Sequence, residues 1–132
     1  MPQYRIAQVA ELLGVSDDTV RRWVEAGRLQ GRIDGGVQVI EGEEVASFAR
    51  RLVTDDRDRR HGSARNRLTG IVTEVVRDGV MAQVEIAAGR YRIVSLLSRE
   101  AADELQLAPG VLATAVIKAT MVTVEADAGS GP

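Results

Sequence analysis

Apolar positions in the first fifty residues recur at helical spacing. Ile6, Val9, Ala10 and Leu13 fall at i, i+3, i+4 and i+7, so they share one helix face. Gly14 interrupts the run as a C-terminal glycine does. Ser16 reads as the N-cap of a second helix, with Asp17 and Asp18 in the first turn, where the helix dipole favours anions. Val20, Trp23 and Val24 make the inward stripe of that helix, and Gly27 ends it. Between residues 29 and 40, apolar side chains flank Asp34-Gly35-Gly36, a hairpin-turn composition. A third helix is predicted from about Glu43, with Val45, Phe48, Ala49 and Leu52 inward.

Residues 54–62 carry no apolar side chain and mix both signs of charge. Such a stretch cannot bury itself and reads as a linker or a solvated helix extension. From residue 63 the period drops to two. Val80, Ala82, Val84 and Ile86 alternate with Met81, Gln83 and Glu85, the signature of a half-buried strand. Asp78-Gly79, Ala88-Gly89 and Pro109-Gly110 read as turns, residues 98–105 as a short helix, and residues 111–118 and 121–125 as the last strands. Five short strands around one short helix predict an OB-like barrel. The expected fold class is therefore α+β. Residues 1–53 form a winged helix-turn-helix domain and 54–62 a charged linker. Residues 63–126 form a five-stranded β-barrel domain and 127–132 a disordered tail.

Composition narrows the function. The apolar share is 45%, enough for packed cores, but aromatics are 3%, so those cores are aliphatic. There is no cysteine, which removes disulfides and thiolate metal sites. No apolar run reaches the length of a membrane span, and the first residues do not read as a signal peptide, so a cytoplasmic protein is expected. The net charge is −2, unlike the basic balance common in nucleic-acid binders. Lys118 is the only lysine beside sixteen arginines. Codon usage in a GC-rich genome and bidentate phosphate recognition both account for that preference.

Helix, glycine turn, helix, hairpin, helix is the layout of a winged helix-turn-helix. The outward face of the second helix carries Asp18, Thr19, Arg21, Arg22 and Glu25. A helix presenting such residues fits a major groove, with Thr19 towards a base edge and Arg21 or Arg22 towards guanine or phosphate. Arg28 and Arg32, near the wing, suit backbone phosphates. Trp23 reads as core. The run from Ile6 to Trp23, continued by Glu25-Ala26-Gly27-Arg28-Leu29, resembles the excisionase and MerR-like helix-turn-helix family over about residues 4–52. The wing has Gln38 and Val39 where that family usually has arginine. The resemblance implies double-stranded DNA as a partner. The near-neutral charge implies weak non-specific binding and reliance on a dimer, which doubles the phosphate contacts.

The second half resembles the molbindin (Mop or TOBE) family over about residues 62–126. The resemblance rests on Ser63-Ala64-Arg65-Asn66-Arg67-Leu68-Thr69-Gly70, on Leu105-Gln106-Leu107-Ala108-Pro109-Gly110 and on Val116-Ile117-Lys118-Ala119-Thr120, in that order. It implies a tetrahedral oxyanion, molybdate or tungstate, as ligand, with no organic cofactor and no metal beyond the oxyanion itself. A doubly charged anion needs converging N–H and O–H donors and about one cation. Ser63 and Ser98 offer hydroxyls, the main-chain N–H groups of Ala64 and Arg65 a small nest, and Lys118 an ammonium group. In the family such sites lie between protomers, which implies a homo-oligomer. Ser95 is the candidate for a second kind of inter-subunit site. Ser98 also reads as a helix N-cap. Ala101 stands where the family often has serine, which removes one donor, and Val94-Ser95 replaces its usual Thr-Ser pair. His61, the only histidine, falls in the linker and reads as solvated.

No nucleophile–base pair, metal-ligand cluster or phosphate-cradling glycine loop is visible, so no enzyme activity is expected. Three functions stay open at this point. The first is an oxyanion-responsive transcriptional regulator, with molybdate uptake or molybdenum cofactor genes as targets by resemblance. The second is a storage or buffering oligomer with a helix-turn-helix that does not bind DNA. The third is a DNA-binding protein whose barrel only oligomerises.

Overall fold

The computed structural model describes residues 2–53 and 64–127. The chain divides into two compact units, one built on residues 2–53 and the other on residues 64–124. The expected linker at residues 54–62, with His61, and most of the expected tail lie outside the described residues.

In the first unit, α1 (Ile6–Leu13), α2 (Asp17–Glu25) and α3 (Gly42–Leu52) enclose one core. Val9, Ala10, Val20, Leu29, Ile40, Val45 and Phe48 are its buried residues, and Trp23 packs its ring 4.7 Å from that of Phe48. Gly14 adopts φ 72° at the end of α1, a left-handed conformation that only glycine reaches without strain, and this sets the tight turn into α2. Ser16 caps α2 by accepting the Thr19 N–H at 3.1 Å. The hairpin pairs β2 (Arg32–Asp34) with β3 (Val37–Glu41) across Gly35 and Gly36, both at positive φ. One strand escaped the pattern: β1 (Gln3–Arg5) pairs with the other edge of β3, Tyr4 opposite Ile40. Three residues are too few to show a period of two.

The second unit is a curled antiparallel sheet in the order β6-β5-β4-β7, an OB-like half-barrel. Strand β4 (Ala64–Arg77) carries the curl. Its first half pairs with β7 (Leu112–Lys118) and its second half with β5 (Met81–Ala88), which in turn pairs with β6 (Tyr91–Ser98). Ile71 faces Leu112 on one side and Ala87 on the other, so the handover lies beside Gly70. A Cβ at Gly70 would collide with the Ala87 carbonyl and lie 2.9 Å from the Ala88 Cα, so only glycine permits this approach. Val72, Ala82, Val84, Ile86, Ala102 and Leu107 form the core. Ala102 belongs to α4 (Arg99–Glu104), whose end closes in a Schellman pattern: Leu107 N–H donates to the Ala102 carbonyl and Gln106 N–H to that of Asp103.

The expected α+β class and OB-like sheet stand. The count of five strands does not: the described sheet has four. Residues 121–125 pair with no strand among the described residues; residues 119–121 form a 3-10 turn, and residues 122–127 have no regular structure. Val122 and Val124 alternate as strand residues should, but without a neighbouring edge to bond, alternation alone makes no strand.

Candidate functional site

The helix-turn-helix unit places Arg21 and Arg22 on exposed positions of α2 and Thr19 on a half-buried one, with Arg28 in the turn after it and Arg32 in β2. Their engagements differ. The Thr19 hydroxyl sits between the Ser16 hydroxyl at 3.0 Å and the Arg22 guanidinium at 3.3 Å. Arg21 lies 3.2 Å from Asp18 and 4.0 Å from Asp17. Arg32 donates to Glu41 through Nη2 at 2.8 Å and through Nε at 3.2 Å, with Asp34 at 3.9 Å; the Glu41 hydrogen bond holds its guanidinium above the ordinary arginine range. Arg28 lies over the Phe48 ring at 5.8 Å, and Arg51 over the same ring at 5.3 Å. Arg22 and Arg28 therefore keep their charge free of carboxylates among the described residues, whereas Arg21 and Arg32 must exchange a carboxylate for any phosphate. Arg51 was absent from the sequence-based set, because its placement beside Arg28 depends on where α3 packs.

In the second unit the structure brings part of the oxyanion set together. Ala64, at the start of β4, is the cross-strand partner of Lys118, at the end of β7. The register then steps from Ala64 to Asn66, opposite Ile117, so Arg65 is the extra residue of a bulge. The extra residue breaks the one-to-one pairing of the ladder at that point. Asn66, which the set also omitted, pins the bulge by donating its amide to the Ile117 carbonyl at 3.1 Å. Lys118 is exposed, and among the described residues no carboxylate pairs with it. Ser63 lies outside the described residues.

Ser98 and Ser95 sit elsewhere. Ser98 faces Met81 at the end of β5 that adjoins Arg77, and Ser95 faces Val84. From Ala64 to Arg77 the strand runs for about 40 Å. The Ala64–Lys118 corner and Ser98 thus occupy opposite ends of β4 within one chain. The Ser98 hydroxyl caps α4 by accepting the Ala101 N–H at 3.0 Å. A hydroxyl has two acceptor lone pairs and one donor, so the cap leaves its proton uncommitted. Near Ser98, Asp78 accepts the Met81 and Val80 N–H groups at 2.7 and 2.8 Å, which holds its carboxyl below the usual range.

Residues 4–52 match the sequence profile of a helix-turn-helix domain and residues 62–124 that of the TOBE domain. No curated protein matches the chain. Three solved structures resemble its second half. A molybdate-binding protein from Sporomusa ovata is 32% identical over 50% of this chain and 98% of its own, with a TM-score of 0.49. MopII from Clostridium pasteurianum is 37% identical over 50% of this chain and 100% of its own, with a TM-score of 0.47. The cytoplasmic molybdate-binding protein ModG, solved with molybdate bound, is 45% identical over 48% of this chain and 46% of its own, with a TM-score of 0.44. No described helix is long and apolar enough to cross a membrane.

Proposed function

We propose that this chain, in which a helix-turn-helix domain precedes a TOBE domain, is a DNA-binding transcriptional regulator that responds to molybdate or tungstate. The observation that carries the ligand half is the Ala64–Lys118 corner: an exposed ammonium in register with the bulged start of β4. Those groups suit a tetrahedral dianion, and a carboxylate there would repel it. Proteins 32% to 45% identical to this half are described as molybdate-binding, which supports the same ligand class.

Ser98 belongs to the site through a second copy of the chain, since its own Lys118 is at the far end of β4. An oxyanion held between copies would favour one spacing of two helix-turn-helix units, and so one spacing of DNA half-sites. To act as a switch it must favour that arrangement by a few kcal/mol. We assign the DNA-binding domain to the MerR and excisionase type, and its targets to molybdate uptake or molybdenum cofactor genes. A second reading, a storage oligomer that does not bind DNA, draws support from the carboxylates that occupy Arg21 and Arg32.

Calorimetric titration with molybdate, tungstate and sulfate, repeated on Lys118→Ala, tests the ligand half. The regulator reading expects micromolar binding of molybdate or tungstate that the substitution abolishes. No heat with any of the three anions would leave a DNA-binding protein without a sensor. Tight anion binding with no affinity for any duplex would favour storage.

A further inference from the structure

Two arginines from distant parts of the first unit meet on one aromatic ring. Arg28, in the turn after α2, holds its guanidinium carbon 5.8 Å from the centre of the Phe48 ring. Arg51, in the last turn of α3, holds its own at 5.3 Å. The two positive charges are therefore no further apart than those distances laid end to end. A strand of duplex DNA carries one charge per about 3.4 Å of axis, so neighbouring phosphates fall within that span. The ring itself is fixed, since Phe48 is buried and Trp23 packs against it at 4.7 Å. A fixed ring under both guanidinium groups restricts two long side chains before any partner arrives.

The charge of this pair is unpaired where that of other arginines is not. Arg21 lies against Asp18 and Asp17, and Arg32 against Glu41 and Asp34. Arg28 and Arg51 are exposed, and among the described residues neither has a carboxylate partner. Their place on the unit suits a phosphate strand. The nine residues of α2 make a helix about as long as the major groove is wide, roughly 12 Å, so its ends reach the phosphates that border the groove. Its first turn presents N–H groups, which attract a phosphate. Its last turn presents carbonyls, which repel one unless cations stand beside them. Arg28 follows that last turn, and Phe48 brings Arg51 to its side.

We infer that Arg28 and Arg51, held on Phe48, form a two-point clamp on neighbouring phosphates of one strand of duplex DNA. In this arrangement α3, whose apolar face builds the core, also carries part of the interface. The inference rests on the DNA-binding reading above and adds to it two ionic contacts that displace no carboxylate.

Arg50 supplies the comparison: it is the neighbour of Arg51 on α3, is exposed, and among the described residues stacks on no ring and meets no carboxylate. Full-length Arg28→Ala, Arg51→Ala, the double variant and Arg50→Ala are titrated without oxyanion onto a duplex selected from a random pool and onto a scrambled duplex of equal length, between about 50 and 200 mM salt. Each lost phosphate contact lowers the slope of log affinity against log salt by about 0.9. Arg28→Ala and Arg51→Ala should each lower it by that amount per bound chain, and the double variant by about twice as much. Affinity at the lowest salt should fall on the order of tenfold per substitution, equally on both duplexes. Arg50→Ala should keep the parent slope. A parent slope in either Arg28→Ala or Arg51→Ala overturns the clamp. So does an equal loss from Arg50→Ala, which would mean diffuse charge and no fixed pair. A loss confined to the selected duplex would mean base reading and overturns it as well. A parent chain that binds neither duplex refutes the DNA-binding reading itself, and the clamp with it.

Discussion

Replacing Ser98 separates two duties of one hydroxyl. Its oxygen accepts the Ala101 N–H at 3.0 Å and so caps α4, whose Ala102 is fully buried in the core. Removing such a cap costs about 1 kcal/mol, within a range of roughly 0.5–2. In a unit of this size 1 kcal/mol lowers Tm by about 4–8 °C. Ser98→Ala should therefore lower the melting transition of the second unit by that amount. Ser98→Asp keeps the accepting oxygen and should melt within a few degrees of the parent. The ligand assay orders the two variants differently. The proton that the cap leaves free is the one an oxyanion would take, and a hydrogen bond to a charged group contributes about 1.5–3 kcal/mol. Ser98→Ala should weaken molybdate binding by roughly 10- to 100-fold. Ser98→Asp, stable but with no proton to give and a negative charge, should bind more weakly still. Differential scanning calorimetry and isothermal titration on the same preparations decide it. If Ser98→Asp binds molybdate as the parent does, the hydroxyl has no place in the anion site and the inter-copy assembly of that site is wrong.

Other positions give simpler tests. Gly70→Ala pushes a methyl group into the Ala87 carbonyl and should cost about 1–3 kcal/mol or more, read as a lower urea midpoint; an unchanged midpoint would mean that β4 and β5 are not in such close approach. Gln106 has φ 57° at the Schellman position of α4, where glycine is free of strain, so Gln106→Gly should raise stability by up to about 1 kcal/mol; a loss would contradict that conformation. Asp78 and Glu85 both titrate below their ordinary values, Asp78 through the Met81 and Val80 N–H groups and Glu85 through Thr73 and Arg92. The stability they contribute is fully present above the unfolded-state carboxylate pKa of about 4, and it is lost as pH falls through their lowered folded values. Urea midpoints at pH 7, 4 and 3 should fall in that order, and Asp78→Asn should flatten part of the decline.

The helical half was legible because its signals are local. Ser16, Gly14 and the stripe of Val20, Trp23 and Val24 act within a few residues of themselves, and the folded unit keeps each in its expected place. The sheet was legible in class but not in count. Alternation at Met121–Glu125 shows what a strand would bury, not whether an edge is there to receive it. β1 was missed for the converse reason: three residues gain their identity only from pairing with β3. The Ala64–Lys118 corner was half legible. Ala64 and Lys118 are far apart in sequence, and only the register of β4 with β7 makes them neighbours. The occupation of Arg21 by Asp18 and of Arg32 by Glu41 could not be foreseen from composition, because it depends on side-chain reach across a helix turn and a hairpin.

The central claim is that one molecule couples an oxyanion to DNA. Fluorescence anisotropy on a duplex selected from a random pool, titrated with the full chain at fixed salt with and without saturating molybdate, tests it most directly. The coupling should shift the DNA dissociation constant by at least about fivefold, and Lys118→Ala should remove the shift while leaving ligand-free DNA affinity unchanged. The same dissociation constant at every molybdate concentration would contradict the account.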